Sequence, residues 1–183
     1  MKRTVIIFGL ISGFISSALM FLTLPLIGRG TINFDNGMVI GYTSIFLSFL
    51  LVFFGIRSYR ESIGGSISFG RAFSVGILIT LISCLFYIAS WEIIYYKMMP
   101  DFPDKWSAHE IAKLRATGAS DAAIAARKKQ LDEMTALYDN PLTNAAVTFI
   151  EPFPVGLIMT LVSAGILRKR KSVGMAPAKT ALA

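Results

Sequence analysis

The sequence predicts an all-α integral membrane protein with four transmembrane helices and an extracytoplasmic helical hairpin between helices 3 and 4. Hydrophobic residues make up 54% of the 183 positions, more than a water-soluble domain of this length normally carries. Four segments of about 20 residues or more are nearly free of charge, and each is long enough to cross a hydrocarbon core roughly 30 Å thick. A soluble helix would interrupt such runs with polar residues every third or fourth position.

The first predicted helix spans about residues 4–27 and follows the basic pair Lys2 and Arg3. Its apolar run continues too far for a cleaved signal sequence, so we interpret it as an uncleaved signal anchor. The second predicted helix covers about residues 36–56. Small residues recur every four positions in both helices, which predicts faces that a neighbouring helix can approach closely. These candidate packing and self-association faces consist of Gly9, Gly13 and Ser17 in the first helix and Gly37 and Gly41 in the second.

A polar hinge connects the second helix to the third, which spans about residues 70–96. Basic residues concentrate in this hinge and at the two chain ends, and short basic flanks face the cytoplasm. Both termini are therefore predicted to be cytoplasmic. Contact of the same residues with anionic lipid phosphates is expected. They are Arg57, Arg60 and Arg71 in the hinge, and Arg168, Lys169, Arg170 and Lys171 after the fourth helix. This distribution accounts for the net charge of +7, and no nucleic-acid motif accompanies it, so nucleic acid is not an expected partner.

The third helix carries a polar stripe and ends in aromatic residues. Glu92 lies on the opposite side from that stripe, near the outer end of the helix. The stripe consists of Thr80, Ser83, Tyr87 and Ser90. The closing residues Trp91, Tyr95 and Tyr96 predict an interfacial aromatic belt.

Residues 98–141 are predicted to form a helical hairpin outside the membrane. Ser107 and Glu110 have the spacing of a capping box, which predicts that the first hairpin helix begins there and stops at Gly118. Ser120 is positioned to cap the second. The apolar edge expected to rest on the membrane or on a partner consists of Ile124, Leu131, Met134 and Tyr138.

The fourth predicted helix, about residues 142–167, is interrupted by Glu151 and the two prolines that follow it. A carboxylate within a membrane helix costs at least a few kcal/mol unless it is paired, hydrated or protonated, so it suggests a function. Asn144 and Thr148 share its helical face. The three residues predict an outer-leaflet niche for a proton, a cation, or a donor group of a ligand or partner.

Two alternatives remain open for this niche. Residues 142–150 could form a short interfacial helix, which would leave Glu151 in headgroup water and a remaining span of only about 22 Å. Glu92 could also meet Glu151 and form a carboxylate pair.

The sequence gives little indication of a metal site, a disulfide or a catalytic site. His109 and Glu110 suggest a zinc helix, but Lys113 occupies the place of the second histidine. The single Cys84 cannot form an internal disulfide. We expect no metal, no cofactor and no enzymatic activity, with a membrane-embedded hydrolase using Glu151 as base as a distant alternative.

Four short motifs resemble a known family. The hinge contains FGIRSYR at 54–60 and GGSISF at 64–69, and the region of the fourth helix contains YDNP at 138–141 and EPFPVGL at 151–157. They resemble domain of unknown function 4199, a family of small bacterial four-helix membrane proteins, and the resemblance extends from residue 1 to about 171. It implies the four-helix layout and a bacterial cytoplasmic (inner) membrane. The family carries no established activity and therefore implies no catalytic residues.

These observations predict one membrane domain over residues 1–171 and a disordered cytoplasmic tail over 172–183. The leading hypothesis is a non-enzymatic accessory or scaffold protein. Its expected partners are the lipid bilayer and a second copy of the chain or another membrane protein. The alternative is a small oligomeric transporter or ion-conducting unit that uses the niche around Glu151.

Overall fold

The computed structural model describes residues 1–169, and within this range the chain is α-helical and contains no strand. The expectations for Arg170, Lys171 and residues 172–183 lie outside the described residues. The helices are α1 (Lys2–Gly28), α2 (Phe34–Ser62), α3 (Phe69–Ile93), α4 (Phe102–Ala116), α5 (Asp121–Tyr138), α6 (Pro141–Ile150) and α7 (Pro152–Leu167). A π-helical turn, Ile94–Met98, extends α3.

Four helical segments are long and apolar enough to cross a membrane: Lys2–Gly28, Phe34–Ser62, Phe69–Met98 and Pro141–Leu167. The predicted fold class is thus confirmed, and the chain has the helices of a multi-pass membrane protein. The second of these helices ends six residues later than the sequence predicted, so Arg57 and Arg60 lie on its last turns.

The spans form a bundle in which α1 packs along α2 and α3, while α7 packs between α2 and α3. Burial of apolar surface does not drive helix association within lipid, so close packing and interhelical hydrogen bonds must hold the spans together. Gly9 and Gly13 provide that closeness. A Cβ atom at Gly13 would lie 2.7 Å from the ring of Phe86, and one at Gly9 would lie 2.9 Å from Ile82. The α1 face that the sequence suggested for self-association therefore contacts α3 of the same chain.

The polar stripe on α3 bonds to two neighbouring spans. Ser83 lies 3.0 Å from the hydroxyl of Ser12 on α1. Ser90 donates to the hydroxyl of Ser17 at 2.7 Å. Thr80 lies 3.2 Å from the hydroxyl of Thr160 on α7. Such bonds contribute about 0.6 kcal/mol each on average within membranes, so the stripe orients the helices more than it stabilises them.

The α2–α3 loop and the end of α7 meet at one end of the bundle. The loop needs two glycines because Gly64 and Gly65 have φ values of +92° and +81°, a region that other residues rarely adopt. The backbone N–H of Lys169 donates to the carbonyl of Ile67 at 2.9 Å. Arg57 is paired with Glu61 at 2.9 Å. The basic residues of the loop and of the end of α7 therefore share one end of the molecule.

The hairpin of α4 and α5 lies at the other end, between α3 and α6 in sequence. Helix α4 begins at Phe102, not near Ser107, so the predicted capping box is wrong. Pro103 explains the earlier start, because proline suits the first turn of a helix. The cap at Ser120 is confirmed: its hydroxyl accepts the backbone N–H of Ala123 at 3.3 Å. Gly118 has φ +74° and follows the end of α4.

Ion pairs attach the hairpin to the bundle and join its two helices. Lys113 of α4 donates to Asp35 at the start of α2 at 2.8 Å. This hydrogen bond raises the pKa of Lys113, which stays protonated at neutral pH. Arg127 of α5 pairs with Glu110 of α4 at 2.6 Å.

We expect Lys113→Gln to loosen α4, because the replacement removes the ion pair with Asp35. Hydrogen exchange measured by mass spectrometry should show a modest, at most severalfold, acceleration over residues 102–116. The exposed pair is screened by water, which limits the effect. Lys128→Gln on α5 is the control, since Lys128 forms no ion pair within residues 1–169. Equal exchange in the two variants would mean that the pair with Asp35 does not anchor the hairpin.

Candidate functional site

A cavity of about 750 Å³ lies between the transmembrane helices and the hairpin. Most of its lining is aliphatic or aromatic. Its volume falls within the range of about 300–1,000 Å³ found for small-molecule sites. Every helix of the described chain contributes lining residues, which indicates that the fold as a whole shapes the cavity.

The hairpin forms the roof of the cavity. Phe102 and Trp106 line it from α4, and Leu131, Met134 and Tyr138 line it from α5. Leu131 is only 3% exposed although it lies outside the spans. Three of the four residues of the apolar edge that the sequence assigned to the membrane surface or a partner thus cover a cavity of their own chain, and Ile124 does not line it.

A tightly packed layer closes the opposite side of the cavity, and we call it the floor. Phe49, Thr80 and Thr160 are at most 1% exposed. A Cβ atom at Gly156 would contact Thr80 and would lie 2.9 Å from the Phe49 ring. The cavity is therefore confined to the half of the bundle next to the hairpin and does not continue through it.

The cavity opens sideways between α2 and α6. Helix α6 packs on α3 and α5, whereas α2 packs on α7, so the two helices flank a gap. Three residues of the transmembrane segments line the cavity, are strongly exposed and outline its mouth: Met38 (48%), Tyr42 (48%) and Ile150 (67%). Met134 of the roof also lines the cavity and is 46% exposed, so the mouth lies where the region that lipid occupies meets the hairpin.

Glu151 lies at this mouth, at the junction of α6 and α7. Its Oε2 atom accepts a hydrogen bond of 2.8 Å from the hydroxyl of Tyr87 on α3. Glu151 is exposed and lines the cavity. Burial and the charge of Glu151 together raise the pKa of Tyr138, which places that phenol within electrostatic range of the carboxylate.

The helix break that positions Glu151 follows from the two prolines. Pro152 and Pro154 have no N–H to donate to the preceding turn, so α6 ends at Ile150 and α7 begins at Pro152. The backbone N–H of Glu151 turns back to the carbonyl of Thr148 at 3.3 Å. Stacked rings of Phe149 and Phe153, 4.7 Å apart, bridge the break.

Asn144 is fully buried behind the cavity and connects α6 to α3. Its Oδ1 atom accepts the indole N–H of Trp91 at 3.0 Å and the hydroxyl of Thr148 at 3.1 Å. Its amide donates to the hydroxyl of Tyr96 at 3.4 Å. Asn144 and Thr148 thus bond to each other, while Glu151 bonds to Tyr87, so the predicted niche consists of two adjoining hydrogen-bonded groups.

The other predicted site residues lie elsewhere. Glu92 does not line the cavity, and no hydrogen bond joins it to Glu151 within residues 1–169; its Oε1 atom is buried there without a hydrogen-bond partner. Gly37 packs against Ile27, whereas a Cβ atom at Gly41 would meet nothing within 4 Å. Among the described residues, no group of three or more His, Cys, Asp or Glu side chains could hold a metal ion.

Several aromatic residues of the site were not predicted from the sequence. Trp91 and Tyr95 point into the cavity although their position suggested an interfacial belt. Tyr42 also lines the cavity and carries no sequence signal, whereas Tyr138 lines it as part of the apolar edge that the sequence predicted for the hairpin. Tyr87 could have been found, because it shares the polar stripe of α3 and is the only member long enough to reach across to Glu151.

The comparisons with known proteins identify a family. The family model described as "Protein of unknown function (DUF4199)" matches residues 7–169, and the chain belongs to this family. No curated protein and no solved structure gives a significant match.

Proposed function

We propose that this member of the DUF4199 family is a membrane protein that binds a lipid-soluble amphiphile in the cavity beneath its hairpin. The observation that carries the proposal is a ligand-sized, largely apolar cavity with a mouth between two transmembrane helices. An apolar chain could enter sideways from the bilayer without crossing water. The polar head would then remain at the mouth beside Glu151.

A conducting pathway and a scaffold are less well supported. The floor of Phe49, Thr80 and Thr160 leaves no room for an ion to pass, which argues against a simple pore. The Gly9 and Gly13 face contacts α3 of the same chain, so we do not propose self-association through it.

We also propose that the protein resides in a bacterial inner membrane with both termini in the cytoplasm. Lys2 and Arg3 precede the first span, and Arg57, Arg71 and Lys169 flank the ends of α2, α3 and α7. This arrangement puts basic flanks on one side, as the orientation rule requires. The cavity and its hairpin roof would then lie in the outer half of the membrane.

Tryptophan fluorescence tests the proposed binding directly, because both tryptophans of the chain, Trp91 and Trp106, line the cavity. Brominated single-chain amphiphiles with amine, alcohol and carboxylate heads would be titrated into phosphatidylcholine nanodiscs that contain the full chain. Bromine quenches a nearby indole, so at least one amphiphile should produce quenching that saturates. Random encounters in the bilayer would instead add quenching that rises linearly.

Two glycine variants distinguish quenching by a bound amphiphile from quenching by random encounters in the bilayer. Gly41 lines the cavity with free space beside it, so Gly41→Leu should partly fill the cavity without a clash and weaken the saturable quenching. Gly165→Leu on α7 is the control, since a Cβ atom there also meets nothing within 4 Å and Gly165 does not line the cavity. Quenching that stays linear for all three head groups, or that is the same in both variants, would overturn the proposed function.

A further inference from the structure

The charge of the cavity carries information about its ligand. Glu151 is the only charged residue among those that line the cavity in the described part of the chain, and none of the lining residues is Lys, Arg or His. A bound carboxylate or phosphate would therefore find no cation and would face Glu151. Placing two like charges near each other in a poorly hydrated site is unfavourable.

Glu151 has one oxygen committed and one available. Oε2 accepts the hydroxyl of Tyr87 at 2.8 Å, while Oε1 has no hydrogen-bond partner within residues 1–169. The hydrogen bond with Tyr87 holds the carboxylate at the mouth. A donor that arrives along the mouth can therefore bond to Oε1 without displacing Tyr87.

Aromatic rings line the same cavity as Glu151, and one of them, Tyr87, contacts it directly. Tyr42, Tyr87 and Trp91 line the cavity from α2 and α3, and Tyr138 lines it from the roof. The faces of such rings attract cations, by about 0.5–1 kcal/mol at exposed sites and about 2 kcal/mol when the cation is desolvated. A carboxylate among aromatic rings is a favourable environment for an ammonium group.

We infer that the amphiphile is cationic, an inference that rests on the proposed function. It is a single-chain amine whose ammonium group binds Glu151 at the mouth while its tail fills the cavity. The ammonium donates to Oε1, and the aromatic rings replace part of its water shell. Anionic amphiphiles are rejected, because the cavity offers them a negative charge and no counter-ion.

The three brominated amphiphiles test this inference through their order of affinity. An alkylamine is protonated at neutral pH, because its pKa is close to that of lysine, about 10.4. The amine should bind most tightly, the alcohol more weakly and the carboxylate least. Each affinity is taken from the saturable part of the quenching and is expressed per mole of probe in the bilayer, so unequal partitioning of the three probes does not alter the order.

Glu151→Gln should weaken amine binding by about tenfold or more, as expected when a charge-assisted hydrogen bond is lost. It should leave the alcohol almost unchanged. Glu92→Gln is the matched control, because Glu92 is a membrane carboxylate that does not line the cavity. If Glu151→Gln does not fold, Tyr87→Phe serves instead, since it removes the hydroxyl that orients the carboxylate but keeps the ring, and it should lower amine affinity alone.

The inference and the proposed function fail in different ways. Saturable, Gly41-sensitive binding of equal strength for the three head groups would overturn the ammonium assignment and leave the cavity as a ligand site. Tightest binding of the carboxylate would do the same. An absence of saturable binding for every amphiphile would overturn both.

Discussion

Replacing Gly156 with alanine is expected to destabilise the bundle by roughly 1–3 kcal/mol, the usual cost of overpacking a filled interior. The new Cβ atom would collide with Thr80 and would lie 2.9 Å from the Phe49 ring. Both side chains are fully buried, and each already packs between spans, so neither can move without displacing a helix. The free energy of unfolding would be measured by denaturant titration in mixed micelles.

Gly165→Ala is the control for this substitution. It lies in the same helix, and its Cβ atom would meet nothing within 4 Å. Because alanine favours a helix over glycine by up to about 1 kcal/mol, this variant should be as stable as the wild type or slightly more stable. Similar losses of stability at both positions would show that contact with Thr80 and Phe49 is not the cause of the loss at Gly156.

Removing the side chain of Asn144 is expected to have the second large effect. Asn144→Ala would leave the indole N–H of Trp91 and the hydroxyl of Thr148 without their shared acceptor, in a site that is fully buried. Each buried polar group left unsatisfied costs about 1–3 kcal/mol. We expect a loss of stability in this range and a changed emission maximum from Trp91, because its hydrogen bond is lost.

Two controls give this prediction its specificity. Thr143→Val alters the neighbouring position, whose hydroxyl forms no hydrogen bond within residues 1–169, and should be nearly neutral. A double-mutant cycle of Asn144→Ala with Trp91→Phe should give an interaction energy between about 0.6 and 1.7 kcal/mol, the average and the maximum measured for such bonds in a membrane protein. A value near zero would mean that the bond to Trp91 does not hold α6 against α3.

The spans could be predicted from the sequence because their signal is local. Length and lack of charge define a membrane helix without reference to any neighbour, and the capping residue Ser120 acts on the next few positions only. Helix α2 is longer than predicted because an apolar run marks the part of a helix that crosses lipid and does not mark where the helix ends.

The cavity could not be predicted in this way, because it is a property of helices that are distant in sequence. Tyr87 and Glu151 are 64 positions apart, and nothing near either residue specifies the other. The small residues of α1 show the same limit: a narrow face predicts a close neighbour but does not say whether that neighbour belongs to the same chain. Glu151 can be identified from the sequence alone because a carboxylate between apolar runs is unusual by itself.

The position of the hairpin has a consequence for how such a protein can diversify. Helices α3 and α6 are already in contact, so a few residues would suffice to connect them, and the hairpin is not needed as a connector. An exchange of residues 102–138 for another segment would leave the register of the membrane helices unchanged. On the proposed function, recombination at the two loops that flank the hairpin would therefore change the size and polarity of the molecules that the cavity admits.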